Sequence, residues 1–140
     1  MSNDLKAQLH SDFYVEFEDV TADQEAEDVE RLDALMDRLA LFPLGNDWQL
    51  IDLERARLLM DDVLGEDLMG GHRVRHTLPP DQILERFLDN FDARVARFYT
   101  NVKVWNEDDA SSWTPFTKGG LCICLACCDG QRVGMLWTDQ

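Results

Sequence analysis

The chain predicts an α+β fold over residues 1 to 140, read as one globular domain: a mostly antiparallel or mixed sheet with a C-terminal β-hairpin as its central strands, and about three helices packed on one face. Three observations carry that expectation. Leu121 to Cys128 is an uninterrupted run of apolar and small residues that stops at Asp129-Gly130 before a second run, Val133 to Thr138. Asp-Gly between two β-prone runs favours a short hairpin turn, because glycine accepts the positive φ such a loop needs. Both faces of the first run are apolar, with Leu121, Ile123, Leu125 and Cys127 on one side and Cys122, Cys124, Ala126 and Cys128 on the other. A strand covered on both faces sits inside a sheet. Elsewhere strand-like and helix-like segments come in clusters, which favours an antiparallel or mixed sheet with helices laid against it.

In chain order, Ser11 to Val20 alternates Phe13, Val15 and Phe17 against Tyr14, Glu16 and Glu18, the period of a half-buried strand. Thr21 to Gln24 fits a capping box, and the stripe Val29, Leu32, Leu35, Met36, Leu39 continues it as a helix. Asp23, Glu25, Glu27 and Asp28 crowd its first turns, opposite the positive end of the helix dipole. Pro43 bounds it, with Phe42 to Gly45 as the turn. Trp48 to Ile51 fits either a short strand or the lead into a second helix. Leu53, Ala56, Leu59, Met60, Val63 and Leu64 form a helical face that Gly65 ends. A glycine-containing loop, Gly65 to Gly71, leads to His72 to Leu78, where Val74, His76 and Leu78 alternate against Arg73, Arg75 and Thr77, a strand with one basic face. Pro79-Pro80-Asp81 opens the most legible helix, whose stripe Ile83, Leu84, Phe87, Leu88, Phe91, Val95, Phe98 runs for four turns. Asn101 to Trp105 reads as a strand, and Asn106 to Lys118 as a polar loop interrupted by Trp113, Pro115 and Phe116.

Composition narrows the function classes. With 140 residues and 45% hydrophobic content, the chain can bury roughly 68% of its unfolded surface. The first dozen residues lack the basic start and apolar core of a signal peptide, and no apolar run approaches the roughly 20 residues a bilayer needs. A cytoplasmic location without membrane contact is therefore expected. The charge is −15, from 28 acids against 13 bases. It is uneven: residues 1 to 70 hold 19 acids and 5 bases, residues 71 to 140 hold 9 and 8. Between Asp12 and Glu30 there are nine acids and no base. Such a field repels nucleic-acid phosphates and attracts basic proteins. Aspartate outnumbers glutamate 19 to 9 with only three lysines, which also fits adaptation to high salt or a GC-rich genome, so the charge has readings that need no partner.

Candidate chemistry is sparse. A zinc site in Cys122, Cys124, Cys127 and Cys128 would need all four sulfurs within about 4 Å of one another. At roughly 3.3 Å per residue a strand puts Cys122 and Cys128 about 20 Å apart and turns Cys127 to the other face, so these read as small buried hydrophobes; no metal or other cofactor is expected. His72 and His76 are about 13 Å apart if extended, and with Arg73 and Arg75 they make either a partly exposed edge or a weak anion or ligand site. Phosphate-binding, dinucleotide, nucleophile-elbow and zinc-finger motifs are lacking, so no catalytic residues are assigned.

The leading expectation is a non-enzymatic binding protein whose acidic N-terminal face, with Glu16, Glu18, Asp19, Asp23, Glu27, Asp28 and Glu30, docks on a basic partner protein. An immunity or antitoxin-type inhibitor is one form. Trp113, in a loop, is either core cover or a contact anchor. One alternative is an acidic adaptor that self-associates as a homodimer through the apolar hairpin edge or the Trp113 loop. Another is a small-ligand enzyme using His72, Arg73, Arg75 and His76.

Overall fold

A computed structural model describes residues 2–20, 26–65, 76–107 and 109–140. Its helices are α1 (Ser2–Gln8), α2 (Asp28–Arg38), α3 (Leu53–Gly65) and α4 (Pro80–Leu88), and its strands are β1 (Phe13–Asp19), β2 (Gln49–Ile51), β3 (Arg97–Thr100), β4 (Val102–Asn106), β5 (Asp109–Trp113), β6 (Cys122–Cys128) and β7 (Arg132–Asp139). Five strands form an antiparallel sheet in the order β1-β7-β6-β3-β2, and β4 and β5 form a separate pair. Among the described residues no helix is long and apolar enough to cross a membrane.

The hairpin that the apolar runs predict is β6 and β7, and it is central. Every residue of β6 is buried. Ile123, Leu125 and Cys127 face α1, α3 and α4, whose Leu5, Leu59, Leu64, Ile83 and Phe87 close one core. Cys122, Cys124, Ala126 and Cys128 face Leu32, Leu35 and Met36 of α2, with Trp48 and Phe116. The two faces read from the sequence are these two cores, and the second is roofed by a helix of its own. Cys128 pairs with Val133 and the Asp129 amide donates to the Arg132 carbonyl (3.2 Å), so the chain reverses at Gly130-Gln131 rather than at Asp129-Gly130. Gly130 takes φ +88° there, and the Asp129 Oδ1 accepts the amides of Gln131 (2.9 Å) and Arg132 (2.8 Å).

Three expectations need correction. The helix opened by Pro80 stops at Leu88 rather than Phe98, because the Asn90 side-chain amide donates to the Arg86 and Phe87 carbonyls (2.9 and 3.3 Å) and the Asp129 carboxylate accepts the Asp92 amide (2.9 Å). Val95 is exposed and Phe98 lies in β3; their helical spacing was coincidence. Asn101 is a buried corner, not a strand residue: its Nδ2 donates to the Thr114 and Cys122 carbonyls (2.9 and 2.8 Å) and its Oδ1 accepts the Cys124 amide (3.0 Å). The supposed polar loop contains β5, which pairs with β4. The capping box at 21–24 lies outside the described residues; α2 begins at Asp28, and Glu27 before it makes no side-chain cap. The expected strand at 72–78 lies outside them up to residue 75, and 76–78 are not in a strand.

Candidate docking edge on the first strand

β1 ends the sheet on one side, and its register to β7 runs unbroken from Phe13 opposite Thr138 to Asp19 opposite Arg132. The Asp139 amide donates to the Asp12 carbonyl (3.0 Å) and the Val20 amide to the Gln131 carbonyl (2.8 Å). Those two bonds fix the phase of the antiparallel ladder: even-numbered residues turn their backbone groups to β7, and Val15, Phe17 and Asp19 turn theirs outward. No other strand covers that row among the described residues. Beside it lies a cavity of about 440 Å³ walled by Lys6, Leu9, Tyr14, Leu39, Leu41 and Trp137. Leu39 and Leu41 are set there by the end of α2, where Ala40 takes φ +60° and the Leu41 amide returns to the Met36 carbonyl (2.8 Å), a left-handed helix cap. Tyr14 stacks on Trp137 at 5.4 Å.

The acids expected to form the docking face are partly spoken for. Glu16 pairs with Lys6, Glu18 with Arg38 (3.5 Å) and Asp19 with Arg132 (2.8 Å). Asp28 is held hardest. Its carboxylate accepts the Arg97 Nε and Nη2 at 2.6 and 2.8 Å and the Tyr99 hydroxyl at 2.8 Å. The Arg97 hydrogen bonds hold its pKa below the ordinary carboxylate value, while burial and then the Asp28 bond push Tyr99 up to about 12. Asp28 therefore anchors α2 to β3. Glu27 and Glu30 are exposed and in no ion pair among the described residues. Asp23 lies outside those residues.

The other sequence candidates are placed as follows. Trp113 is half-buried against the core of α1, α3 and α4, and its indole N–H donates to the Gly120 carbonyl (2.9 Å). His72, Arg73 and Arg75 lie outside the described residues. His76 is half-buried, with both ring nitrogens occupied: Nδ1 accepts the His10 amide (2.9 Å), which leaves Nε2 to donate to the Leu64 carbonyl (2.9 Å). Burial depresses its pKa. It ties α1 to α3 and offers no nitrogen to a substrate. The cysteines are buried thiols, with burial pushing Cys127 up to about 12 and Cys124 and Cys128 higher still, the opposite of an activated nucleophile. Among the described residues no three His, Cys, Asp or Glu side chains gather as a metal ion would need. The hairpin has no free edge, since β3 and β1 flank it.

Sequence reading missed Lys6, Leu9, Leu39 and Leu41 as walls of a site. The spacing of Leu5 and Leu9 is a helical signal that could have placed α1, but nothing in the sequence links Lys6 to Glu16. A second concavity, about 750 Å³, lies at the opposite margin among Leu50, Leu53, Leu88 and Phe91, with the paired Arg57 and Glu85 in its wall. No protein-family model matches this chain, and neither a curated protein nor a solved structure matches it.

Proposed function

We propose that this is a cytoplasmic binding protein whose acidic N-terminal face docks on a basic partner protein, with an immunity or antitoxin-type inhibitor as one form. The supporting observation is the charge left after internal pairing. Residues 1 to 70 carry 19 acids for 5 bases, and even with Lys6, Arg38, Arg97 and Arg132 bonded to acids of the face, Glu27 and Glu30 stay exposed. Exposed ion pairs are worth about 0–1 kcal/mol, so a partner's arginine replaces Lys6 or Arg38 at little cost. Opposite charge then speeds capture. The test is affinity capture from the native lysate at low salt and at about 0.5 M, where screening cuts electrostatic reach to a few ångströms. A basic protein retained at low salt and released at high salt supports the reading; none retained under either condition removes it.

A second reading, self-association, draws on the opposite margin, where Leu50 is 67% exposed beside the larger cavity and Leu53 and Val95 are also exposed. Sedimentation velocity decides it: a dimer dispersed by Leu50→Glu favours this reading, and a monomer at high concentration eliminates it.

A further inference from the structure

We infer that the outward edge of β1 accepts an extended, basic segment of the partner as an added strand, and that the segment displaces the side chain of Lys6. This rests on the acidic-face reading and says where and how that face binds. Proteins blunt the margins of their sheets with short strands, bulges, prolines or charges, because unpaired N–H and C=O groups template another chain. β2 is blunted by its three-residue length. β1 is seven residues long, has no proline and pairs with β7 without a bulge. Among the described residues, the side chain that reaches over it is Lys6. α1 packs on the face that Phe13 and Val15 share, whereas Glu16 belongs with Tyr14 and Glu18 on the other face, so the Lys6–Glu16 pair passes across the strand's open side.

Charge selects the occupant. A second copy added antiparallel about Phe17 would set Glu16 and Glu18 against Glu18 and Glu16 of that copy, and like charges across strands are destabilising. A segment with arginine or lysine at alternate positions meets opposite charge at Glu16 and Glu18. Its backbone pairs with the outward groups of Val15, Phe17 and Asp19. Its intervening apolar side chains reach Leu9 on the α1 side, and Leu39 and Leu41 receive apolar residues at the segment's end. Main-chain bonds would supply affinity and the flanking walls specificity, as in other strand-addition complexes.

The probe is a labelled peptide of four Arg-Val repeats, acetylated and amidated, binding the full chain at low salt. Two further versions carry N-methyl groups on every valine amide or on every arginine amide. Strand addition predicts that one methylated version binds at least about tenfold more weakly, since it loses two or three backbone bonds, while the other binds like the parent. It also predicts slowed hydrogen exchange at the amides of Val15, Phe17 and Asp19 on binding, and several-fold tighter binding to Lys6→Ala. If all three peptides bind alike, lose binding in salt and leave those amides exchanging as before, strand addition is overturned and acidic-face docking stands. If none binds at low salt, both fall. Weaker binding to Lys6→Ala would overturn its role as the displaced group.

Discussion

The sheet ends on one side in β1, seven residues joined to β7 without a break, and on the other in β2, three residues beside β3. The two margins are fastened differently. β1 is held chiefly by packing, its ion pairs to Arg38 and Arg132 being exposed: Phe17 lies with Phe87 and Phe91 at ring separations of 5.4 to 5.9 Å, over Gly134, and Tyr14 stacks on Trp137. The β2 side is held by polar clasps. Asp28 grips Arg97 and Tyr99 of β3, and Asp33 accepts the Trp48 indole N–H (2.8 Å) and the Leu44 and Gly45 amides (both 3.1 Å) just before β2. Packing through a strand's two faces leaves its hydrogen-bonding edge free, and clasps fix a chain whose own strand is too short to template another. The contrast leaves β1 as the longer margin, with an unpaired backbone row among the described residues.

The largest effect tests the packed margin. A Cβ on Gly134 would sit 2.7 Å from Phe91 Cζ and 2.8 Å from Phe17 Cδ1, closer than carbon atoms approach without displacement. Gly134→Val should cost about 2–3 kcal/mol by overpacking, read from the urea midpoint at constant slope. Phe17 is carried by β1 directly opposite Gly134, so hydrogen exchange should rise first along β1 and β7 and last at β3. Equal loosening at both margins would mean the packing is not local to β1, and the contrast would fail.

The clasped margin is tested by Asp28→Ala. Removing the carboxylate leaves Arg97 and Tyr99 without their partner, at about 1–2 kcal/mol for hydrogen bonds to a charged group at a partly buried site. The pH dependence has a definite sign. The Asp28 pKa in the folded chain lies below its ordinary value of 3.8, chiefly through the Arg97 hydrogen bonds. Its stabilisation is therefore complete above the unfolded pKa and is lost as pH falls from about 4 through the folded pKa. Asp28→Ala should be flatter than wild type across that acid window and parallel to it above. A wild-type acid slope carried over undiminished into the variant would remove Asp28 as the clasp, since Asp92 and Asp129, also held below the ordinary value, leave a residual slope in either case.

How much of this was legible follows from the range of each interaction. β6 announced both of its faces because period-two alternation is local and each of its residues is buried, and β1 did so through Phe13, Val15 and Phe17. β5 was invisible: Asp109-Ala-Ser-Ser-Trp113 alternates nothing apolar, and it is a strand through its pairing with β4. The acids of the candidate site are visible in the sequence as a cluster, but their ion-pair partners are not. Arg97 is 69 residues from Asp28 and Arg132 is 113 from Asp19, separations across which sequence carries no signal of pairing. The outward row of Val15, Phe17 and Asp19 depends on which partner β1 has, a property of topology rather than pattern.

A smaller effect belongs to the helix flanking β1. His76 joins α1 to α3 through the His10 amide and the Leu64 carbonyl, so His76→Ala should cost about 1 kcal/mol. Burial first, and His10 after it, place the folded pKa below the ordinary 6.5. The unfolded chain then takes up the proton before the folded one, so stability falls as pH drops below about 6.5 and levels off once the folded ring is protonated too. His76→Ala should lack that slope in thermal melts between pH 7 and 5. A slope retained in the variant would assign it to another group.

The smallest expected effect sharpens the contrast most. Lys6 and Glu16 have side chains 45% and 26% exposed, and a pair that wet contributes about 0–0.5 kcal/mol. Lys6→Ala should leave the urea midpoint within error, while the outward amides of Val15 and Phe17 lose the side chain that crosses them and exchange faster. Stability unchanged with faster edge exchange is the signature of a removable cover. A loss of more than about 1 kcal/mol would instead make Lys6 a staple between α1 and β1, and the two margins would then be fastened by the same kind of polar bond.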